Sequence, residues 1–310
     1  MLYNAIQGGD GVTAVVSDKT FPNQSAYYSS SQSFGNLSRL VLDNQGNRVS
    51  PGTAAAGVEV TCNGGESCGP DEDGVTQVHG ASFSSPFVLN RVNPTQVALA
   101  GDHVYVATDT APANAAAVDL KLIDLGVTGT VSALAYGTAD NPNVVLAGSG
   151  SPGALFLSTT GAAGSIARVP GYTGGIPTSL VFDQRSQNRF YVADSASLWG
   201  TPNQGATLQN LTANLPANII RPTSVEFITN NGVNALMVGG LSSTANAQSQ
   251  ISVADSDANG NLSGWRLYGS GLPNALVSQM SYNPLVDVLT ISAVGRGAWA
   301  LYDVTRRSIP

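Results

Sequence analysis

The stretch FYVADSASLWGTPNQGATLQNLTANLP, residues 190–216, contains the pattern that decides the fold. An alternating apolar run at residues 190–193 is followed by a second short run at 197–199. The polar, glycine-containing turn 201–205 comes next and leads into a further apolar stretch. Short apolar runs separated by turn residues are typical of antiparallel strands, so residues 190–216 predict a β-meander.

The same order of strands and turns recurs along the chain. Residues 143–158 contain two such runs before a turn of small residues at 159–165, and residues 235–254 contain two more before the turn 255–260. Units of about 40 to 50 residues with four short strands each are the signature of propeller blades. We therefore predict an all-β, six-bladed β-propeller of four-stranded antiparallel blades, or a seven-bladed one if residues 50–83 contain a degenerate blade.

We predict one domain over residues 1–310, with a long inserted loop at residues 50–83, where the repeat is lost. The last unit, residues 277–303, has three predicted strands, whereas a spare predicted strand, Leu2 to Ile6, stands at the N-terminus. We expect this N-terminal strand to pair into the final blade. Such pairing closes the ring and protects the edges of both sheets.

The composition agrees with a turn-dense all-β protein. The 310 residues include 35 glycines, 16 prolines and only two lysines, and the formal net charge is -7. We expect neither nucleic acid nor an anionic membrane surface as a partner, because both bind clustered cations. The sequence has no apolar run of the roughly 18 residues that a spanning helix needs, so we predict no direct insertion into a membrane. We also expect a monomeric protein.

Two cysteines bear on the cellular compartment. Cys62 and Cys68 lie in the glycine-rich sequence TCNGGESCG, and a local disulfide between them is our preferred interpretation, with free thiols as the alternative. A disulfide favours an oxidising compartment, so we expect a protein that is secreted or located in the periplasm or on the bacterial surface. We do not expect a metal site of the Cys and His type, because His79 and His103 are the only histidines.

One turn carries a family resemblance. The sequence TPNQGATL, residues 201–208, resembles the Asp-box or BNR turn, Ser/Thr-x-Asp-x-Gly-x-Thr-Trp, with Asn203 at the Asp position and Leu208 at the Trp position. This turn, GSGLPNALVSQMSYNP and SAVGRGAWALYDVT resemble the repeats of sortilin-type domains, family 74 xyloglucanases and propeller passengers of bacterial autotransporters. GGDG and SSPFVLNRVNP are most similar to the bacterial passengers. The resemblance implies a propeller but no particular activity, because one fold hosts many functions.

Propellers bind ligands at the mouth of a central channel, which the innermost strand of each blade lines. The polar residues in or just before the predicted innermost strands are Asp10, Arg91, Tyr136, Asp183, Glu226 and Tyr282. Arg296, between two glycines, is expected to reach the same mouth, whereas Trp299 is expected in the core between blades. We predict that the ligand, a glycan or a surface protein, binds to Arg91, Tyr136, Tyr282 and Arg296.

A glycoside hydrolase is the alternative function. Such an enzyme needs two carboxyl groups, one protonated and one ionised, and Asp10 with Asp183 or Glu226 could supply this catalytic pair across the channel. The resemblance to family 74 implies paired aspartates. Those enzymes are double propellers with an aromatic-rich cleft, however, whereas this chain has one predicted disc and 3 tryptophans. Binding or surface display is therefore the leading hypothesis.

Calcium is the one cofactor that the sequence suggests. DSDANG, residues 255–260, matches the first half of a calcium loop, in which Asp255, Asp257 and Asn259 would converge on the ion. The EF-hand version requires a glutamate at the twelfth position, where this chain has Arg266. The alternative is a structural turn in which these side chains bond to their own backbone.

Overall fold

The chain has an all-β fold, as predicted. The structure, a computed structural model, describes residues 13–49, 55–62, 78–150, 152–243 and 250–306. Within these ranges there are 23 strands and two short 3₁₀ helices, Gln32–Phe34 and Thr212–Asn214. Neither helix has the length or the apolar character needed to cross a membrane.

The chain divides into two compact units. The first comprises Met1–Gly137, Pro142–Ser151 and Phe156–Arg168. The second comprises Thr138–Asn141, Pro152–Leu155 and Val169–Pro310.

The first unit contains an eight-stranded sheet. Its strands are β1 (Thr13–Phe21), β2 (Gln24–Ser30), β3 (Ser38–Asp43), β4 (Ala56–Cys62), β5 (Phe87–Leu89), β6 (Gln96–Ala100), β7 (His103–Thr108) and β8 (Ala117–Val127). Their order is β1-β2-β3-β4-β8-β7-β6-β5, and all neighbours are antiparallel except β4 and β8. The sheet thus consists of a first meander, β1–β4, and a second meander, β5–β8, which are joined through β4 and β8. Because β1 also lies against β5, the sheet is a nearly closed barrel.

The parallel pairing of β4 with β8 places part of residues 50–83, predicted to be an inserted loop, within the sheet. It runs from Gly57 opposite Ala117 to Cys62 opposite Leu122. Alternate residues of β8 are buried, as expected of a strand with one face on the core. Residues 50–54 and 63–77 lie outside the described part of the chain.

The next four strands form an antiparallel sheet in chain order. They are β9 (Val131–Tyr136), β10 (Val145–Gly150), β11 (Gly153–Ser158) and β12 (Ala167–Arg168). Val131, Leu134 and Val145 pack in one core cluster with Ala98 and Val104 from the preceding meander. Their burial supplies the apolar contact that a thin sheet needs for stability.

The second unit contains three antiparallel sheets, each in chain order. The first has β13 (Ser179–Phe182), β14 (Phe190–Ala193), β15 (Leu198–Thr201) and β16 (Gln209–Asn210); the second has β17 (Ile219–Asn230), β18 (Val233–Ser242), β19 (Ile251–Ser256) and β20 (Leu262–Leu267); the third has β21 (Val277–Asn283), β22 (Val288–Ala293) and β23 (Gly297–Tyr302). All four residues of β14 are buried. The rings of Tyr191 and Phe227 stack with centroids 6.0 Å apart, which links the first two sheets.

The prediction of four-stranded antiparallel sheets is confirmed for the sheets that begin with β9, β13 and β17. The last sheet has three strands within the described ranges, as the sequence pattern indicates. The predicted closing strand, Leu2 to Ile6, lies outside the described residues. Its pairing with the last sheet therefore stays a prediction.

Candidate functional site

The buried carboxylate of Asp183 is fully engaged by two arginines. Asp183 follows β13, and its oxygens accept hydrogen bonds from Arg185 Nε (2.8 Å) and Nη2 (2.7 Å) and from Arg189 Nε (2.7 Å). Asp183 Oδ1 also accepts a hydrogen bond from the backbone N–H of Arg185 (3.0 Å). Arg185 also donates to the Ser256 hydroxyl and to the Asp257 carbonyl oxygen, both at 2.8 Å. Arg185, held by Asp183, thereby connects the β13–β14 turn to the end of β19.

These contacts decide the protonation state of Asp183. Burial opposes ionisation, but the hydrogen bonds and charges of Arg185 and Arg189 outweigh it and hold the pKa of Asp183 below its usual value. The acid of a glycosidase must instead stay protonated near neutral pH. The arrangement is that of a structural ion pair and disfavours Asp183 as the protonated member of the predicted catalytic pair; its role as the ionised member stays a prediction.

Of the other two predicted catalytic carboxylates, the structure describes Glu226. Glu226 is buried in β17, and its Oε1 accepts a hydrogen bond from the backbone of Phe227 (3.2 Å). Glu226 is not among the hydrogen-bond partners of Asp183. Asp10 lies outside the described residues, so catalysis by Asp10 and Glu226 stays a prediction.

Arg91 and Tyr136, two of the predicted ligand-binding residues, lie next to each other in the first unit. The backbone N–H of Arg91 donates to the carbonyl oxygen of Tyr136 (3.0 Å). Burial lowers the pKa of the Arg91 guanidinium to about 10, so this group is still a cation at neutral pH. Tyr136 is buried in the core, where burial raises the pKa of its phenol and Asn90 hydrogen-bonds it. The Tyr136 ring therefore packs in the interior.

The other two predicted ligand-binding residues differ in exposure. Tyr282 is buried; it donates to Asp287 Oδ1 and accepts from Asn230 Nδ2, both at 2.8 Å, and burial raises its pKa to about 12. Arg296 is exposed in the turn between β22 and β23. Its carbonyl oxygen accepts a hydrogen bond from Trp299 Nε1 (3.1 Å). Trp299 is 41% exposed, so the expectation that it lies in the core is wrong.

The residues predicted to bind calcium are engaged by protein groups. Asp255 pairs with Arg266 through both oxygens, at 3.0 and 3.1 Å. Asp257 accepts three hydrogen bonds, from the backbone of Asn259 and from the backbone and side chain of Asn261. Bonds from Asn261 hold the pKa of Asp257 below its usual value. The contacts are those of the alternative, a structural turn, and calcium binding stays a prediction.

The same turn occurs a second time. Asp43 accepts hydrogen bonds from the backbone of Gln45 and from the backbone and side chain of Asn47, as Asp257 does from the equivalent residues. Both turns have the sequence Asp-x-x-Gly-Asn. This shared motif was a signal in the sequence for a hairpin turn, and the candidate calcium loop is one copy of it.

An open depression lies on the first meander, at the turns that follow β1 and β3. Its volume is about 510 Å³, and its lining includes Asp18, Asn23, Tyr27 and Asp43. These side chains provide hydrogen-bonding groups and one aromatic ring. None of them was predicted to be a site residue, because turn residues of this type also serve to fix hairpins.

The two histidines of the chain lie together, which the sequence pattern did not predict. The ring centroids of His79 and His103 are 5.0 Å apart. His79 Nδ1 lies 2.5 Å from Asp102 Oδ1, and His103 Nδ1 lies 2.9 Å from Asp124 Oδ2. His79, Asp102 and His103 each offer one metal-ligating atom, and these three atoms lie within 4.8 Å of one another.

Two glycines allow this close approach. A Cβ atom on Gly80 would lie 2.3 Å from Asp102 Cγ, and one on Gly101 would lie 2.1 Å from the carbonyl oxygen of His79. The same carbonyl oxygen accepts a hydrogen bond from Asp102 N (3.1 Å). The His79 backbone also hydrogen-bonds the buried hydroxyl of Tyr105. The turn at residues 79–80 is thus fixed directly on the β6–β7 turn.

Comparisons with known proteins show the fold. No protein-family model and no curated protein matches the sequence. A structure of Chaetomium thermophilum Sqt1 is 15% identical with a TM-score of 0.54, covering 92% of this chain and 67% of that chain. The extracellular domain of BT4673 from B. thetaiotaomicron is 12% identical with a TM-score of 0.51, covering 97% of this chain and 33% of that one. Both are β-rich and propeller-like, so this chain has a β-propeller-like fold.

At such low identity the likeness concerns the fold alone. The chain spans about a third of the length of the BT4673 chain that it matches. Membership of the Asp-box family stays a prediction.

Proposed function

We propose that the chain is an extracytoplasmic β-propeller that binds a protein or a glycan through an exposed surface, as a monomer and without catalysis. In this proposal the propeller has six blades, and the strand Leu2 to Ile6 completes the last one. Propellers of unrelated sequence commonly serve as binding modules, and the propeller-like fold supports this reading.

The observation that carries the proposal is the exposed turn between β22 and β23. Arg296 is the predicted ligand-binding residue that is exposed there, and its carbonyl oxygen is bonded to the indole of Trp299. Val294, in the same turn, is 57% exposed. Tryptophan and arginine dominate the residues that carry binding energy at interfaces. The turn and the start of β23 thus expose an indole, an arginine and an apolar side chain, which are residue types suited to a protein or sugar partner.

A binding screen tests the proposal. The chain is immobilised and probed with a glycan array and an array of extracellular proteins, and each hit is measured again with Arg296→Ala and Trp299→Ala. We expect Trp299→Ala to weaken binding by about 30-fold, the loss of a typical hot-spot residue. Phe83→Ala is the matched control, because Phe83 is an exposed aromatic residue outside this turn. Equal binding by all variants would contradict the assignment of the surface.

A glycoside hydrolase stays the alternative. Its support is the presence of Glu226 and Asp10, and the ion pairs of Asp183 count against it. Polysaccharides and aryl glycosides are incubated with the chain and with Glu226→Gln and Asp10→Asn. Turnover that either substitution abolishes would establish an enzyme and overturn the proposal of binding alone.

The extracytoplasmic location rests on the predicted disulfide between Cys62 and Cys68. The side chain of Cys62 and the whole of Cys68 lie outside the described part of the chain. Alkylation of the unreduced protein, followed by mass spectrometry, counts free thiols. We expect none before reduction and two after it; two free thiols in protein from an oxidising compartment would remove this support.

A further inference from the structure

A cluster of metal-ligating side chains lies apart from the turn that carries the proposed function. It consists of His79, Asp102 and His103, with Asp124 behind His103. The cluster uses both histidines of a chain that has only two. Two imidazoles and a carboxylate with ligating atoms within 4.8 Å of one another are a donor set that zinc accepts.

The backbone of the cluster is fixed before any ion binds. Asp102 and His103 lie at the β6–β7 turn, and His79 is held to that turn by its carbonyl oxygen. Gly80 and Gly101 remove the Cβ atoms that would separate the two segments. Preorganised ligands of this kind lose little freedom on binding, which favours a tight site.

Asp124 is placed to orient His103. A bulge in the β7–β8 pairing sets Asp124 opposite Tyr105 and Val104 opposite Gly126. Asp124 Oδ1 accepts from Gly126 N (2.8 Å), and Oδ2 contacts His103 Nδ1 (2.9 Å). A carboxylate on Nδ1 fixes the tautomer that carries its lone pair on Nε2, as in carboxylate–histidine–zinc sites.

The charges of the cluster also favour a cation. Asp102 and Asp124 are two carboxylates, and each contacts the Nδ1 atom of a histidine. No lysine or arginine of the described ranges forms an ion pair with either carboxylate. The two carboxylates supply negative charge that a divalent ion would balance.

We infer that His79, Asp102 and His103 form a binding site for a divalent transition-metal ion of the zinc type, with Asp124 as the residue that positions His103. Ligands about 2.0 to 2.2 Å from a tetrahedral zinc lie roughly 3.3 to 3.6 Å apart, so ligating atoms that now lie within 4.8 Å of one another need to shift by only about 1 to 1.5 Å on binding. The side chain of His79 is 52% exposed and is free to make this movement. Imidazole nitrogen selects zinc over calcium or magnesium, which prefer oxygen ligands.

The ion would cross-link the segment before β5 to the β6–β7 turn. Three protein ligands leave one position of tetrahedral zinc for water or for a donor atom of a bound partner. The site would therefore stabilise the second meander and place a Lewis-acidic ion with one open coordination position on its surface.

Zinc titration tests the inference. The full chain, freed of any affinity tag and treated with chelator, is titrated with ZnCl₂ in a calorimeter and melted at increasing zinc concentration. We expect one ion per chain and a melting temperature that rises with zinc concentration. Cobalt substitution should give the visible absorption of a tetrahedral nitrogen and oxygen site. The absence of any zinc binding would overturn the inference.

Variants locate the ion. We expect Asp124→Asn to weaken zinc binding by about 10- to 100-fold, as outer-shell changes do, and His79→Ala and Asp102→Asn to weaken it further. His79 is exposed, so His79→Ala should keep the fold, which circular dichroism checks. Asp303→Asn, at an exposed aspartate outside the cluster, is the control and should bind zinc like the parent chain.

The cysteines are the rival ligands. A Cys62→Ser, Cys68→Ser double variant should keep its zinc affinity if the histidine cluster is the site. Zinc binding that this double variant loses, or that His79→Ala and Asp102→Asn both leave unchanged, would contradict the inference.

Discussion

At the scale of single residues, the ion pairs of Asp183 offer a measurable test of its structural role. Asp183→Asn leaves Arg185 and Arg189 without an anionic partner. Removing one partner from a buried pair costs about 3 to 5 kcal/mol, and because both arginines are partly exposed we expect about 2 to 3 kcal/mol in urea unfolding. The matched control is Asp255→Asn, whose exposed pair with Arg266 should contribute less than about 1 kcal/mol. Equal losses in both variants would contradict the structural role.

The same residue predicts a pH dependence. The pKa of Asp183 is lower in the folded chain than its usual value of 3.8, so its ionised form stabilises the folded state at higher pH. That contribution is fully present above about pH 5 and is lost as the pH falls through the folded pKa. The stability difference between the parent chain and Asp183→Asn should therefore shrink below about pH 4. Urea unfolding of both proteins from pH 7 to pH 2.5 measures it, and a constant difference would refute the assignment.

At the scale of the turn, the two Asp-x-x-Gly-Asn hairpins provide a matched pair of glycines. Gly46 and Gly260 have φ angles of +80° and +86°, which favour glycine. A Cβ on Gly46 meets nothing within 4 Å, whereas one on Gly260 would lie 2.2 Å from Arg189 Cδ. Gly46→Ala should cost about 1 kcal/mol from the backbone alone.

Gly260→Ala should cost more than Gly46→Ala, because it also displaces the arginine that is bonded to Asp183. We expect the difference to be about 1 to 2 kcal/mol by urea unfolding. The double variant Gly260→Ala, Asp183→Asn supplies the control. Its loss of stability should be smaller than the sum of the losses in the two single variants. Full additivity would show that the glycine does not act through Arg189.

Strands and turns were predictable from the sequence because their signals are local. The apolar run at residues 190–193 and the polar turn 201–205 predict a meander, and Thr201 Oγ1 accepts a hydrogen bond from Gly205 N (3.0 Å) in that turn. The pairing of β4 with β8 gave no such signal, because it joins residues 57 and 117 through a parallel register. The same limit hid the metal-ligating cluster, since His79 and His103 meet only through the contacts of Gly80 and Gly101.

The site residues show a further limit of sequence reasoning. Asp183, Tyr136 and Tyr282 were chosen because polar residues stood in predicted inner strands, and in the structure their polar atoms bond to neighbouring protein groups. A polar residue in a strand can bind a ligand or can be hydrogen-bonded within the core. The local sequence pattern is the same in both cases, so it does not distinguish them. Arg296 differs from these three residues because its side chain is exposed to solvent. Exposure depends on the tertiary structure, which a local sequence pattern does not show.

At the scale of the whole molecule, the proposed closure of the last sheet gives the final prediction. Among the described residues, β23 is the edge strand of a three-stranded sheet, and its residues from Gly297 to Ala300 are exposed. An edge strand with unpaired backbone groups is a liability that propellers remove by pairing a strand from the other end of the chain. Deleting residues 1–7 should therefore lower the melting temperature by at least about 5 °C and speed amide exchange in β23.

The control for this deletion is removal of residues 307–310, which follow β23 in the sequence; we expect this removal to leave exchange in β23 unchanged. A synthetic peptide with the sequence of residues 1–7 should restore slow exchange when added to the shortened chain, because a strand supplied in trans can pair with the same edge. Exchange in β23 that is equally fast with and without residues 1–7 would show that this segment does not complete the sheet. The edge would then be available to a strand from a partner, and the binding surface of the module would extend from Arg296 along β23.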